Sequence, residues 1–539
     1  MLYFTSNTKK EATFLIQYSR PMFIIFPVVL TFLTAGALII LRFWRRDFRY
    51  FWLVAIGGAT LALAGVFAWQ IHLPQSISLS TWQPDALSSF TPTLVADGIS
   101  WSYSLAIVAL AAAVIWTSIV RTEKDPASWA GTLVLCATGI LAVAADNPLT
   151  LILAWSALDL IELFAVLRLT EGEEQSRGVV IAFAARVAGT GLVIWGNLAS
   201  IAGGTPLNFH SIPEGAGIYL LIATVLRLGV FPLQLPYLKG NTYRRGFGTS
   251  LRLISAATSL SLLARIPSSS INISFRPYLI IFTMLAGLYA GWMWVRGSDE
   301  IVGRPFWVLG MASLAIASSL IGNPTGSVGW GIMLVLGGGV LFLFSARQRS
   351  IIWLPLLGLW GMSTLPFSIT ASAWQTGSQI SIFYIVPFLP VQALLAAGII
   401  RHSLHPGETS FESQERWTKF LYPTGLLLLG AIIFLLGIWG WSGALNIGQV
   451  WAAITANVLV VGFTWLGLTF LARLPTSRAS NQWARIFRLE WLFTTLAAIY
   501  EFFCKIAEVI TSSLEGEGGL LWSLLLLALI FSILSTQAR

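Results

Sequence analysis

Residues 148–167 read PLTLILAWSALDLIELFAVL, and this stretch decides the class of fold. A helix needs about 20 mostly apolar residues to cross the hydrocarbon of a bilayer, and this run has that length and character. It nevertheless holds Asp159 and Glu162, three positions apart and so on neighbouring parts of one helix face. An ionisable group inside a span is costly and faces a bundle interior, a partner charge or a water-filled path. The stretch predicts a membrane helix with a polar interior side.

Working outward, the same apolar pattern recurs near 21–41, 50–70, 101–120, 129–145, 178–201, 216–236, 249–265 and 277–295. It continues near 305–322, 327–346, 350–366, 379–400, 420–441, 450–472 and 519–536. The prediction is an all-α polytopic membrane protein with about 16 transmembrane helices. Composition agrees: of 539 residues 56% are hydrophobic and 10% charged, with a mean hydropathy of +0.78. A soluble domain carries about 25% charged residues, which excludes a globular cytosolic enzyme, a nucleic-acid binder and a disordered chain. The 24 Trp and 48 Gly suit a bundle with aromatic interfaces and close helix approach. The first twenty residues lack a secretory signal pattern.

Charge in the loops tests the spans. The net charge of +9 comes from Lys and Arg in every second loop, as cytoplasmic loops require. Arg42, Arg45, Arg46 and Arg49 follow the first run; Arg121 and Lys124, Arg168 and Arg177, and Lys239, Arg244 and Arg245 occupy the matching loops. Arg296 and Arg304, Arg347 and Arg349, Arg401, Arg416 and Lys419, then Arg473, Arg478, Arg485 and Arg488 continue the series. The opposite loops 71–100, 202–215, 367–378 and 442–449 carry none, and Arg265 and Arg276 alone break the alternation. The pattern places both termini outside. Between 478 and 514, Leu489, Leu492, Leu496, Ile499, Phe503, Ile506 and Ile510 form one apolar stripe interrupted by Glu490, Glu501, Lys505 and Glu508. This predicts an amphipathic interfacial helix before a final span within 515–539.

The charges inside spans gather in the first half: Asp159 and Glu162, Arg186 in the sixth run, Arg227 in the seventh and Arg252 in the eighth. Two readings stand side by side, a polar network through which a proton or cation moves and a set of structural ion pairs. Arginine does not give up its proton in a protein, although it stabilises a neighbouring carboxylate. Two spans also carry breakers: Pro232 after Arg227-Leu228-Gly229, and Pro355 with Pro366 around Gly358 and Gly361. The breaks lie five spans apart, which predicts two inverted five-helix repeats at 129–266 and 277–402. An N-terminal three-span segment covers 1–128, and additional spans cover 403–477.

Several stretches resemble one family, the antiporter-like membrane subunits of respiratory complex I (NADH:quinone oxidoreductase), membrane-bound hydrogenases and Mrp-type multisubunit sodium/proton antiporters. They are Ala96-Asp97-Gly98-Ile99-Ser100, Asn147-Pro148-Leu149-Thr150 through Trp155-Ser156, Arg227-Leu228-Gly229-Val230-Phe231-Pro232-Leu233-Gln234, and Ser298-Asp299-Glu300 through Ser313. The last spans with the amphipathic helix are similar to the carboxy-terminal extension of the longest members. The resemblance implies a proton- or cation-translocating subunit, partnered by other membrane subunits in a prokaryotic inner membrane and linked to electron transport only through them.

The departures from the family are specific. Ser156 stands where the family has a glutamate, with Asp159 one turn on, and Arg227 replaces a lysine. Ser255 and Ser261 occupy positions that normally offer His or Lys, residues 337–344 hold neither, and Ala371 and Ser372 stand where Lys or Glu is expected. The expected ion path is therefore degenerate, reduced to Asp159, Glu162, Arg186 and Arg227 in the first half, with a mainly structural role as its limit. A stand-alone secondary cation or solute transporter is the alternative. Cys136 and Cys504 sit in apolar runs, and His72, His210, His402 and His405 lie near span ends. No phosphate loop, iron–sulfur cluster or haem motif is evident, so no cofactor or metal is expected.

Overall fold

Polar caps followed by proline begin three of the interior helices. Asp125, Asn147 and Asn323 each accept a hydrogen bond from a backbone N–H of the first turn, with Pro126, Pro148 and Pro324 as the first helical residues. A side-chain acceptor satisfies an otherwise orphaned donor, and a leading proline loses nothing because its N–H would be unpaired. The computed structural model describes residues 22–45, 48–84, 88, 90–120, 125–168, 173–230, 245–271, 274–375, 382–405, 411, 414–441 and 446–466. It also describes scattered positions between 495 and 509.

Fifteen α-helices run through the described part of Met1–Arg473, the first of two compact units. They are α1 (Met22–Trp44), α2 (Phe51–Trp69), α3 (Gly98–Thr117), α4 (Pro126–Val143) and α5 (Pro148–Leu167). Next come α6 (Glu173–Ala202), α7 (Gly217–Leu228), α8 (Arg245–Leu263), α9 (Arg276–Arg296) and α10 (Glu300–Leu320). The rest are α11 (Pro324–Leu343), α12 (Trp353–Met362), α13 (Leu389–Ser403), α14 (Arg416–Ile438) and α15 (Val450–Leu466). Among the described residues, ten helices are long and apolar enough to cross a membrane, while α7, α12 and α15 are apolar but shorter. In the second unit, Leu474–Arg539, the described residues are helical and exposed. The final span near 519–536 and most of the amphipathic stretch lie outside the described residues.

α11 is buried from Gly326 to Leu343, and α3 is nearly all buried. They pack on each other; α8 packs on both, and α14 closes over both. Small residues permit this approach: a Cβ on Gly331 of α11 would stand 1.9 Å from Tyr103 Oη of α3. α4 to α8 pack in sequence with α4 returning to α8, and α9 to α13 pack in sequence with α9 returning to α13.

Three local departures from the sequence reading have physical causes. The loop 71–100 holds an antiparallel pair, β1 (Gln75–Ser78) and β2 (Thr93–Ala96), in an otherwise helical chain. Val95 N donates to Ala144 O, Thr93 N to Thr150 Oγ1 and Asn147 Nδ2 to Thr91 O, so the turn between α4 and α5 completes the hairpin's bonding. The tenth helix starts at Glu300, five residues before the predicted run, so Arg304 is a buried helix residue instead of a loop cation. Arg265, which breaks the loop charge alternation, pairs with Asp97 through two hydrogen bonds of 2.8 and 3.1 Å. Burial pushes the Asp97 carboxyl up, but Arg265 and the Ser100 N–H more than reverse this and hold it below its usual value.

The break after α12 is tightly compensated. Pro355 lies in the first turn of α12, where its missing N–H is harmless. The helix ends at Met362, and Thr364 and Phe367 flanking Pro366 take φ of 55° and 64°. Carbonyls released by the break would be unsatisfied in a membrane interior. Thr370 Oγ1 donates to Gly361 O at 2.7 Å, Gln392 Nε2 to Met362 O at 2.8 Å and Asn457 Nδ2 to Ser363 O at 2.8 Å. Gln392 also accepts from Trp374 Nε1 at 2.8 Å. Three separate elements thus cover three consecutive carbonyls. The first-half break is simpler: α7 ends at Leu228 and Gly229 takes φ 72° as its left-handed cap. Pro232 lies outside the described residues.

Candidate ion-pairing site between α5, α6, α7 and α8

Asp159 and Glu162 are both buried on α5 because their helix face turns inward, while Ser156 and Leu160 face out. Arg227 lies one residue before the end of α7 and reaches Asp159 with both terminal nitrogens, Nη1 to Oδ2 at 2.6 Å and Nη2 to Oδ1 at 2.8 Å. This bidentate pairing is the strongest geometry available to an arginine and a carboxylate. Nη1 also donates to Thr190 Oγ1 at 3.1 Å and to Arg186 O at 3.2 Å. The guanidinium carbon lies 4.1 Å from the centroid of the buried Trp155 ring, an attractive arrangement where water is excluded.

Gly189 makes this reach possible. A Cβ there would stand 2.7 Å from Arg227 Cγ and 3.0 Å from Ala223 O. The arginine stem therefore crosses α6 over a position with no side chain.

Arg186 serves two carboxylates. It forms a close ion pair with Glu162 Oε2, and its Nη1 lies 3.8 Å from Asp159 Oδ1. The other Glu162 oxygen, Oε1, is buried without a hydrogen-bond partner among the described residues. Glu162 and Arg186 both line a narrow cleft with Val179, Ala182, Leu251 and Arg252, whose empty space counted to its open mouth is about 310 Å³. A second opening, bounded by Glu162, Arg186, Arg227, Arg252 and Ser255, continues it. The two carboxylates thus differ: Asp159 is fully engaged, and Glu162 keeps a free oxygen beside the cleft.

The structure therefore brings together Asp159, Glu162, Arg186 and Arg227, with Arg252 at the margin. Asp97, Asp125 and the four histidines stand apart from this group. Among the described residues, no group of three or more His, Cys, Asp or Glu is placed to hold a metal ion.

A second cluster escaped the sequence reading because its members looked like loop charges. Arg245 opens α8, Glu300 opens α10 and Arg347 follows α11. Glu300 Oε1 accepts from Arg245 Nη1 at 2.7 Å and from Arg347 Nη2 at 2.5 Å. Arg245 also donates to Phe342 O at 2.8 Å, and Arg347 to His405 O at 2.7 Å. The useful signal was the Ser298-Asp299-Glu300 stretch, which reads as a helix start that carries a carboxylate inward.

No protein-family model matches the sequence, and no curated protein does either. Solved structures do match. A subunit of the Mrp complex from Dietzia sp. DQ12-45-1b superposes with a TM-score of 0.65 at 14% identity, over 96% of this chain and 63% of that one. The chain thus spans under two thirds of that subunit's length. A subunit of the membrane-bound sulfane sulfur reductase, an archaeal respiratory membrane complex, gives 0.64 at 12% identity over 95% and 99%. A subunit of respiratory complex I from Thermus thermophilus gives 0.58 at 15% identity over 81% and 99%. At such identities the likeness concerns the fold: this chain shares its fold with chains of these three membrane complexes.

Proposed function

We propose that the chain is a membrane subunit of a multisubunit ion-translocating complex, with one working half-channel in its first half and a mainly structural second half. In this reading Glu162 carries the proton or governs the cation, and Asp159 with Arg227 is the fixed post beside it. The observation that carries the reading is the inequality of the two carboxylates: Asp159 has both oxygens on Arg227, whereas Glu162 Oε1 is unmatched beside an open cleft.

The arrangement suggests how an arginine, which keeps its proton, still takes part. With Glu162 ionised, Arg186 pairs with it. A proton delivered through water in the cleft to Glu162 weakens that pair, and Arg186 turns toward Asp159 Oδ1, already 3.8 Å away. Loss of the proton restores the first pair. Arg186 thus acts as a mobile counter-charge between two carboxylates, which a low-dielectric interior makes effective.

The second half supports a scaffold role. α11 carries no titratable side chain, and the break after α12 has its carbonyls covered by Thr370, Gln392 and Asn457. The matching neighbour pattern of α4–α8 and α9–α13 supports the inverted repeat. The proposed subunit has about sixteen spans, sits in a prokaryotic inner membrane with both termini outside, and carries an interfacial helix within 478–514. The neighbours in fold belong to an Mrp complex, a sulfane sulfur reductase and a respiratory complex I, so the partners are other membrane subunits of an assembly of that kind.

Gentle-detergent purification of the tagged chain from native membranes, with mass spectrometry of what accompanies it, tests the assembly. Stoichiometric recovery of several other membrane subunits is the expected result. A homogeneous particle of this chain alone that transports ions in liposomes overturns it in favour of a stand-alone transporter.

A further inference from the structure

We infer that Arg304, one turn inside α10, forms a buried site for a small inorganic anion of the halide type. Among the described residues, the buried interior holds five arginines (186, 227, 245, 252 and 304) and three carboxylates (159, 162 and 300). The surplus is positive, and an arginine cannot remove its charge by losing a proton. Arg227 and Arg186 use Asp159 and Glu162; Arg245 uses Glu300 and shares it with the partly buried Arg347. Arg252 has interactions of its own.

Arg304 is left. It is 2% exposed, and its Nε and Nη2 are buried with no hydrogen-bond partner among the described residues. Its guanidinium carbon stands 5.4 Å from the centroid of the Phe342 ring. Glu300, one turn before it on α10, has its Oε1 engaged by Arg245 and Arg347. Arg252, Arg245, Asp299 and Glu300 all lie within electrostatic reach, two of each sign, so no net local charge offsets the guanidinium. A buried cation without partners is strongly unfavourable, and an anion that accepts from Nε and Nη2 answers both the charge and the unmatched donors.

Size follows from burial. A lipid phosphate or a peptide carboxylate brings a bulky tail that a 2% exposed side chain cannot admit, whereas a bare halide can be enclosed. The site stands apart from the Glu162 reading: it concerns a resident anion in the fold, not the translocated ion.

The test uses the purified complex in detergent, with chloride titrated against gluconate at fixed pH and ionic strength. Its melting midpoint is followed for the native chain and for Arg304→Gln. The expected result is a saturable rise with chloride in the native protein that Arg304→Gln abolishes. No chloride dependence, or the same dependence in both, overturns the site and leaves water as the partner of Arg304. If Arg304→Gln does not accumulate, bromide exchange into the native protein decides: anomalous scattering beside Arg304 supports the site, and its absence at saturating bromide overturns it.

Discussion

Arg227 and Asp159 meet through two hydrogen bonds of 2.6 and 2.8 Å although 68 residues separate them in the chain, and this pair ties α7 to α5. Removing one partner leaves an uncompensated buried charge, which costs about 3–5 kcal/mol, whereas replacing both by apolar residues is far milder. Asp159→Leu and Arg227→Leu singly are therefore expected to lower the melting midpoint sharply. The double variant recovers much of the loss. A double-mutant cycle on thermal stability in detergent checks this, and additive losses contradict it.

Gly189 gives a narrower test of the same pair. Gly189→Ala places a Cβ against Arg227 Cγ and the Ala223 carbonyl, and overpacking of this kind costs about 1–3 kcal/mol. The expected outcome is a lower melting midpoint, with Gly191→Ala as control, because a Cβ there meets nothing within 4 Å. Equal effects of the two substitutions rule out the steric account.

The turn after α11 depends on one phenol. Tyr422 Oη accepts from Ser345 N at 2.7 Å and Ala346 N at 3.1 Å and donates to Leu343 O at 3.1 Å. Tyr422→Phe leaves these buried groups unmatched, at about 1–3 kcal/mol each before relaxation. Gln392→Leu does the same at the α12 break. Both are expected to lower thermal stability, and Gln392→Leu leaves ion translocation by the surviving assembled complex unchanged. A translocation defect larger than the loss of assembled complex contradicts the scaffold role of that break.

Asp299, between α9 and α10, supplies a pH dependence. Burial, with the hydrogen bond and negative charge of Glu300, pushes its carboxyl from 3.8 up to about 6. The folded protein therefore holds this proton where the unfolded chain has released it. The contribution to stability is fully present below about 3.8 and is lost as pH rises through about 6. Asp299→Asn is expected to flatten the melting midpoint between those values. A profile of unchanged slope there contradicts the assignment.

The sequence made the membrane helices legible because span length and loop charge are set by the bilayer itself. The grouping of Asp159, Glu162, Arg186 and Arg227 was legible for the same reason, since charges within apolar runs must converge. Their unequal roles were not. Whether Arg227 reaches Asp159 or Glu162 depends on the rotation of α7 against α6 and on the gap at Gly189, neither of which periodicity encodes. Arg304 was misplaced because positive charge near a span end reads as a loop; its helix starts earlier, with Glu300 drawn inward by Arg245 and Arg347. The β1–β2 hairpin was missed since its strands have four residues each and lean on the turn between α4 and α5.

The most direct measurement is ion translocation by the assembled complex, reconstituted in proteoliposomes, with Glu162→Gln in this chain and any remaining copies of the subunit type unchanged. Gln keeps the shape of Glu162 but cannot exchange a proton. The account predicts that complex assembly is retained while the number of ions moved per turnover falls by this subunit's share. An unchanged ion stoichiometry in a fully assembled Glu162→Gln complex contradicts the half-channel and leaves the chain a structural subunit.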